Sequence, residues 1–340
     1  MDNVTHTLVG IALAQAGLKR KTRFALLGLI IASNLPDADV VSAASGGIAY
    51  LKYHRGITHS LIGLTALAAI LAFFLYFCAR RIRPGKGSPP LSLKWLFLAC
   101  WAGTACHVLM DFTNAYGIRP FLPFSSRWYA LDIMPIIGLW LLLFLALGLG
   151  LPLILGLVTE EVGAKKGAAH AARNGAIFSL CAMAALWGLR GFSHQRALGL
   201  LSAHTYGGEN LVRLGAFPEF LNPFDWTGVA ETDDEYFVLE TSALADNVNV
   251  EDAEVFRKPA PSPALAAAQK TSGARIFLSF ARFPFAAIYS EEEGSQVYIR
   301  DLRFASSGSH NWNFVLEVKL GQSMQVLDQT FSFRMRKPEY

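Results

Sequence analysis

Three apolar stretches decide what this chain can become. Leu61–Ala79, Trp95–Met110 with its flanks, and Ile133–Val158 are each long enough to cross a hydrocarbon core as a helix, which takes roughly 17–25 residues. A fourth stretch, Gly175–Phe192, is a weaker candidate. Hydrocarbon offers no water to the backbone, so spans of this kind must be helical. Thr7–Leu18 and Phe24–Leu35 are too short to span alone and read as a helical hairpin that dips into the membrane or packs on the bundle. The positive charges near the N-terminus follow the apolar run instead of preceding it, which argues against a cleavable signal. Composition agrees with the membrane reading. Of 340 residues, 53% are hydrophobic and 16% charged, against about 25% charged in soluble domains, which excludes disorder and an ordinary soluble enzyme.

Loop charge sets the expected orientation. Twelve basic residues fall in loops 19–23, 80–94 and 159–174, whereas loops 34–60 and 111–132 hold only Lys52, Arg55, Arg119 and Arg127. The positive-inside rule makes the first set cytoplasmic. Four crossings from Leu61 onward then put everything after about Gln195 outside. The expected fold is α+β: a helical transmembrane bundle over residues 1–194, followed by a β-rich extracytoplasmic domain over 195–340. Val297–Phe304 and Phe314–Leu320 read as strands, the latter with Phe314, Leu316, Val318 and Leu320 on one face. The Pro- and Ala-rich stretch Ser242–Gly273 reads as a long excursion. Cys78, Cys100, Cys106 and Cys181 all lie in apolar segments, so no disulfide framework is expected. A formal charge of +4 spread over short loops gives no reason to expect nucleic acid.

The chemistry gathers at the outward helix ends. His6, Asp37, Asp39, His54, His59, His107 and Asp111 come from four separate segments yet share one expected depth. His107 and Asp111, four apart, share a helical face. Ionisable groups near a bilayer are costly and tend to be functional. Imidazole and carboxylate together suit zinc, manganese or iron, and more than four donors suggest two ions. Taken singly, Asp37 and Asp39 read equally well as helix caps, and a lone interfacial histidine as an anchor. Asp37 and Asp111 are the candidates to bridge two metals, and Arg55 to hold the reacting group. Asn114, Tyr116, Arg119 and Arg127 sit on the adjoining loop as candidate substrate contacts, since guanidinium pairs with phosphate through two hydrogen bonds. Arg119 and Arg127 also read as snorkelling cations beside an aromatic belt. Asp132 either orients a ligand histidine or caps the next helix. Thr58 and Ser60 read as bonding carbonyls or supporting groups. His170, His194, His204 and His310 read as surface residues, and Asp233–Glu235 and Glu291–Glu293 as solvated turns.

Four segments carry a family resemblance: Asp2–Gly10 (DNVTHTLVG), Asn34–Asp39 (NLPDAD), Tyr53–Leu61 (YHRGITHSL) and His107–Asp132 (HVLMDFTNAYGIRPFLPFSSRWYALD). Through them, residues 1–190 resemble the YdjM-type inner-membrane metal-dependent hydrolases. Phe277–Phe285 and Val297–Phe304 resemble the tail of the longer members. The resemblance implies a hydrolase of the bacterial inner membrane. That family is in turn distantly similar to zinc-dependent phospholipases C and single-strand nucleases, which implies a phosphoester and a metal-activated water. A phospholipid or lipid-linked substrate is then the expectation, with membrane lipids as the surrounding partners. The alternative is a non-enzyme: a metal-stabilised membrane protein whose C-terminal domain binds a partner. A transporter fits less well, because the polar residues lie at one face and no repeat is visible.

Overall fold

The computed structural model describes residues 1–161, 168–291, 293–305 and 311–338. His310, Lys165, Lys166 and Glu292 lie outside the described residues. The chain forms two compact units, Met1–Asp39 with Arg55–Gly191, and Val40–His54 with Phe192–Tyr340. The short segment Val40–His54 thus groups with the C-terminal part, whereas the sequence reading placed it in the membrane part.

The first unit is helical. Its elements begin with α1 (Asn3–Ala16), capped by the Asp2 carboxylate on the Thr5 amide, and α2 (Ala25–Ala32). A long 3-10 segment, Leu35–Ser45, follows α2, and a 3-10 turn, Ile57–His59, leads into α4 (Leu61–Arg81). Ser60 starts α4 by accepting from the Gly63 amide at 3.0 Å while its hydroxyl donates to the Ile57 carbonyl at 2.8 Å. Helices α5 (Leu93–Phe112), α6 (Leu139–Glu161) and α7 (Ala168–Ser202) complete the unit, with α7 running on into the second. Among the described residues, four helical stretches are long and apolar enough to cross a membrane, Ala25–Ser45, Leu61–Arg81, Leu93–Phe112 and His170–Ser202, whereas the apolar helix within the expected Ile133–Val158 span is shorter, Leu139–Pro152. The first extends the expected Phe24–Leu35 segment through the 3-10 continuation. α6 starts at Leu139, not at Ile133, because the amides of Ile133 and Met134 instead bond the Thr113 carbonyl at 2.9 and 3.0 Å.

Small residues let these helices approach closely. A Cβ on Gly10 would stand 2.6 Å from Ser33 Oγ, and one on Gly103 would stand 2.8 Å from the Ala32 Cβ. The end of α2 is therefore clasped by α1 and α5 at contact distances only glycine permits. Ala32, Ala68, Leu71, Leu75, Leu96 and Cys100 fill the space between α2, α4 and α5.

The second unit contains α3 (Gly47–Tyr53) and two antiparallel four-stranded meanders. The first runs β1 (Arg213–Pro218), β2 (Asp225–Glu231), β3 (Glu235–Ser242) and β4 (Glu254–Arg257). The end of α7 covers it through Ala197 and Leu201, which join Trp226, Ala230 and Leu239 in one buried cluster. The second runs β5 (Pro284–Glu291), β6 (Gly294–Asp301), β7 (Asn311–Gly321) and β8 (Val326–Arg336), preceded by α8 (Pro263–Gln269) and α9 (Ser272–Phe280). The expected excursion at 242–273 thus holds β4 and α8. Strand β7 is less one-sided than its alternation suggests: Val315 is buried as well as Leu316, because Tyr298 and Trp312 pack with it on the opposite face. His194 corrects another expectation. It is buried, its Nε2 3.1 Å from the Ala216 carbonyl oxygen and its ring tilted against Trp226, so it packs the domain and does not face solvent. All four cysteines are free thiols.

Candidate metal centre

His107 stands one turn from the end of α5, and its Nδ1 lies 2.8 Å from the carbonyl oxygen of Ser33. A carbonyl can only accept, so Nδ1 carries the proton and Nε2 is left as a bare lone pair. His59 follows the same logic. The Thr58 hydroxyl donates to Asp39 Oδ2 at 2.6 Å, so Thr58 Oγ1, 3.0 Å from His59 Nδ1, is left to accept from the ring. Both bare Nε2 atoms then face each other at 3.2 Å.

Two carboxylates close the figure. His59 Nε2 lies 3.3 Å from Asp111 Oδ2 and 3.5 Å from Asp37 Oδ1. His107 Nε2 lies 3.5 Å from each of the same two oxygens. Neither Asp111 Oδ2 nor Asp37 Oδ1 has a hydrogen-bond donor. Asp37, His59, His107 and Asp111 thus bring four electron-rich atoms within 4.8 Å of one another, with five pairwise separations of 3.2–3.5 Å. An ion held at about 2.0–2.2 Å by four tetrahedral ligands requires ligand edges of about 3.3–3.6 Å. The nest fits that figure and can hold a metal ion. Burial opposes a charge on His59, but the carboxylates of Asp111, Asp37 and Asp39 outweigh it and raise its pKa to about 10. The surroundings therefore demand positive charge at that point.

Two more donors stand at the edge. His6 is fully buried on α1, its ring stacked on His107 with centroids 3.8 Å apart, and its Nε2 is 3.6 Å from Asp111 Oδ1. Neither ring nitrogen of His6 has a hydrogen-bond partner, and burial lowers its pKa to about 4, so the ring is neutral. Asp39 accepts from the Arg55 amide at 2.9 Å and lies 3.4 Å from His59 Nδ1. His54 ends α3 in the second unit, where its ring stacks on Tyr50 at 4.4 Å.

The expected substrate contacts divide. Arg55 is buried, in a left-handed backbone conformation at φ 52°. Its guanidinium donates to Asp111 Oδ1 and to Asn114 Oδ1, each at 2.9 Å, and lies over the Tyr116 ring at 4.8 Å. It stands behind Asp111 and is committed to holding it. Asn114 Oδ1 also accepts from the Tyr116 amide at 3.0 Å, so Asn114 and Tyr116 build the buried turn that seats Arg55 and do not line an open surface. Arg119 lies over Trp128 at 4.5 Å, and exposed Arg127 over Tyr129 at 5.4 Å. Asp132 is buried at φ 58° well before Leu139, so it caps no helix. The Met1 amino group also meets Asp111 Oδ1. Sequence reasoning had no access to the Ser33 carbonyl, which is backbone; its only trace is the pair of small residues, Gly10 and Gly103, that admit it.

These histidines and aspartates all lie within residues 1–197, the span matched by a family model described as YdjM inner membrane protein. The chain belongs to the YdjM inner membrane protein family. With its four apolar helical stretches, this makes it a membrane protein. Beyond the YdjM region, residues 263–337 match a model described as YfhP C-terminal alpha/beta plait domain. A curated relative, "Uncharacterized protein YfhP" of Bacillus subtilis (strain 168), is 28% identical over 142 residues. Those residues are 39% of this chain and 41% of the relative, so the match spans under half of either protein. No solved structure matches.

Proposed function

We propose that this YdjM family member is a multi-pass inner-membrane hydrolase that uses a divalent metal, zinc first, to cleave a phosphoester of a phospholipid or lipid-linked substrate. The observation that carries the reading is the surplus of donors. A structural zinc site is complete with four ligands. Here a fifth candidate, His6, is buried beside the four with both ring nitrogens unsatisfied, a condition costing about 1–3 kcal/mol unless something binds there. His6 and Asp39, at the edge of the nest, are the further candidates for a second ion. The tetrahedral spacing favours zinc over manganese, whose oxygen-rich sites are octahedral, and over iron, whose sites of two histidines and one carboxylate keep open positions.

A bound ion would supply Lewis acidity to a phosphoryl oxygen and lower the pKa of a water. The chain's own residues do the rest. Ser33 and Thr58 fix the tautomers of His107 and His59, Arg55 aims Asp111, and Asp39 ties Thr58 to the Arg55 amide. Asp37, the least buried of the four nest residues, lies on the side from which substrate arrives. An apolar groove of about 680 Å³ supports a lipid substrate. Leu61 and Leu64 at the start of α4 and Val108, Leu109 and Phe112 at the end of α5 line it, so it shares its helix ends with the nest. Arg119 and Arg127, on the adjoining loop, are the cations we assign to an anionic head. The loop charges support an extracytoplasmic location for this end and for the C-terminal domain.

One observation favours the second reading: four protein donors already complete a tetrahedron, which is the arrangement of a structural clamp in a partner-binding membrane protein. Purified protein loaded with zinc and given phosphatidylglycerol in mixed micelles, or bis-p-nitrophenyl phosphate, separates the two. Turnover abolished by a chelator, restored by zinc, and lost in His6→Ala at unchanged melting temperature supports the hydrolase. No turnover of any phosphomonoester, phosphodiester or acyl ester by the loaded protein, with a melting temperature that collapses on chelation, supports the clamp.

A further inference from the structure

The opposite end of α4 carries a second polar feature that the metal centre does not use. A concavity of about 850 Å³ opens there, and its cationic lining is Lys19, Arg20, Arg23 and Arg83. No aspartate or glutamate lines it, and among the described residues no carboxylate pairs with any of the four. Arg23 is held in place by donating to the carbonyls of Ile82 at 3.0 Å and Ala79 at 3.4 Å. Beside it, Lys21 lies over the Trp95 ring at 4.9 Å. Four cations drawn around one hollow repel each other unless an anion joins them.

Position narrows the anion. α4 has 21 residues, about 31 Å of helix, which matches the roughly 30 Å thickness of a hydrocarbon core. Its start, Leu61, lies two residues after His59, and its far end runs into Ile82 and Arg83 at the hollow. The hollow therefore sits one bilayer thickness from the metal nest, at the other boundary. Apart from Thr22 and Ser88, the side chains of its remaining wall are apolar, with Leu26 and Leu27 exposed beside the cations. A free anion in water has no use for those leucines, whereas a lipid presents phosphate and acyl chain together. Basic pockets between spanning helices on the positive side of a membrane bind anionic head groups in this way. We propose that this hollow binds the phosphate head group of an anionic phospholipid, with Leu26 and Leu27 against the first part of its acyl chain.

The test uses full-length protein reconstituted in phosphatidylcholine with spin-labelled phosphatidylglycerol or spin-labelled phosphatidylcholine, reading the motionally restricted fraction of each. Arg20 and Arg83 are exposed, so R20Q/R83Q leaves the fold intact. R80Q/R81Q removes the same charge from the same end of α4 without touching the lining. The expected result is a clear preference for phosphatidylglycerol in wild type, about tenfold lower in R20Q/R83Q and largely kept in R80Q/R81Q. Equal preference in wild type and R20Q/R83Q overturns the site. Equal loss in the two double variants also overturns it, because diffuse surface charge then suffices. Millimolar inorganic phosphate should leave the preference intact; abolition by phosphate overturns the lipid assignment in favour of a free anion.

Discussion

His107 Nδ1 sits 2.8 Å from the carbonyl oxygen of Ser33, and that contact decides which nitrogen the ring turns toward His59. With the proton spent on Ser33, two bare nitrogens and two carboxylate oxygens without donors share one small volume. A proton is the weaker way to reconcile them, and a divalent cation the better one, because it meets all four at once.

The first prediction follows. Purified protein retains zinc or takes it up stoichiometrically, and His59→Ala, His107→Ala and Asp111→Asn each fall below about a tenth of the wild-type metal content, since loss of one ligand exposes the remaining charges to each other. Elemental analysis after gel filtration reads this directly. Variants that keep full metal content would move the site elsewhere.

Gly103 supplies the second prediction. A Cβ there would stand 3.2 Å from the Leu29 carbonyl oxygen and 3.3 Å from the Ser33 amide as well as meeting Ala32. Gly103→Ala therefore pushes α5 off α2 and lengthens the Ser33–His107 bond. The expected cost is about 1–3 kcal/mol of stability, with metal affinity about tenfold weaker because an orienting partner is loosened. Gly188→Ala is the control: nothing lies within 4 Å of its would-be Cβ, so better helix propensity leaves it neutral or slightly more stable. Thermal melts with and without zinc compare the two.

Arg55 gives the third. Its fork reaches Asp111 and Asn114 together, and a lysine, as a point charge, cannot. Arg55→Lys should weaken metal affinity about 10- to 100-fold and lower kcat, with KM little changed because Arg55 lies behind Asp111. A rise in KM at unchanged kcat would instead return Arg55 to the substrate side.

What the sequence disclosed and what it hid divide along physical lines. The spans around Leu61–Ala79, Trp95–Met110 and Gly175–Phe192 were legible because lipid imposes one long, uniform condition on composition. Asp37, His59, His107 and Asp111 stood out in the sequence because such groups at the ends of apolar helices demand a reason. The role of Arg55 was hidden, since its partners Asn114 and Asp111 lie nearly sixty residues away and only the turn at Asn114–Gly117 shows where its Nη1 and Nη2 donors go. His194 misled because a polar residue past a span looks like an interface residue, whereas β1 and β2 fold over it. α2 was under-read because a 3-10 continuation carries no 3.6-residue pattern to count.

The last prediction concerns the C-terminal unit and its response to acid. Glu231, at the end of β2, is buried and accepts from Arg213 Nη2 at 2.7 Å and Lys258 Nζ at 2.9 Å. Burial alone would raise its pKa, but these two cations outweigh it and hold the carboxyl below its ordinary value. The proton is thus bound more weakly in the folded state than in the unfolded one. Stability from this group is present above the unfolded carboxyl pKa of about 4.3 and drains away as pH falls through the lower folded value. Glu231→Gln keeps the shape but removes the charge, so it should cost about 1–3 kcal/mol at neutral pH and less in acid, where the wild type loses the same contribution. Denaturant titrations at pH 7 and below pH 4 of a full chain that keeps Trp226, buried in the same strand, and carries phenylalanine at its other six tryptophans, read by fluorescence, would show the gap narrowing. A gap of constant size across that range would mean that the pairing with Arg213 and Lys258 does not set the acid response of this sheet.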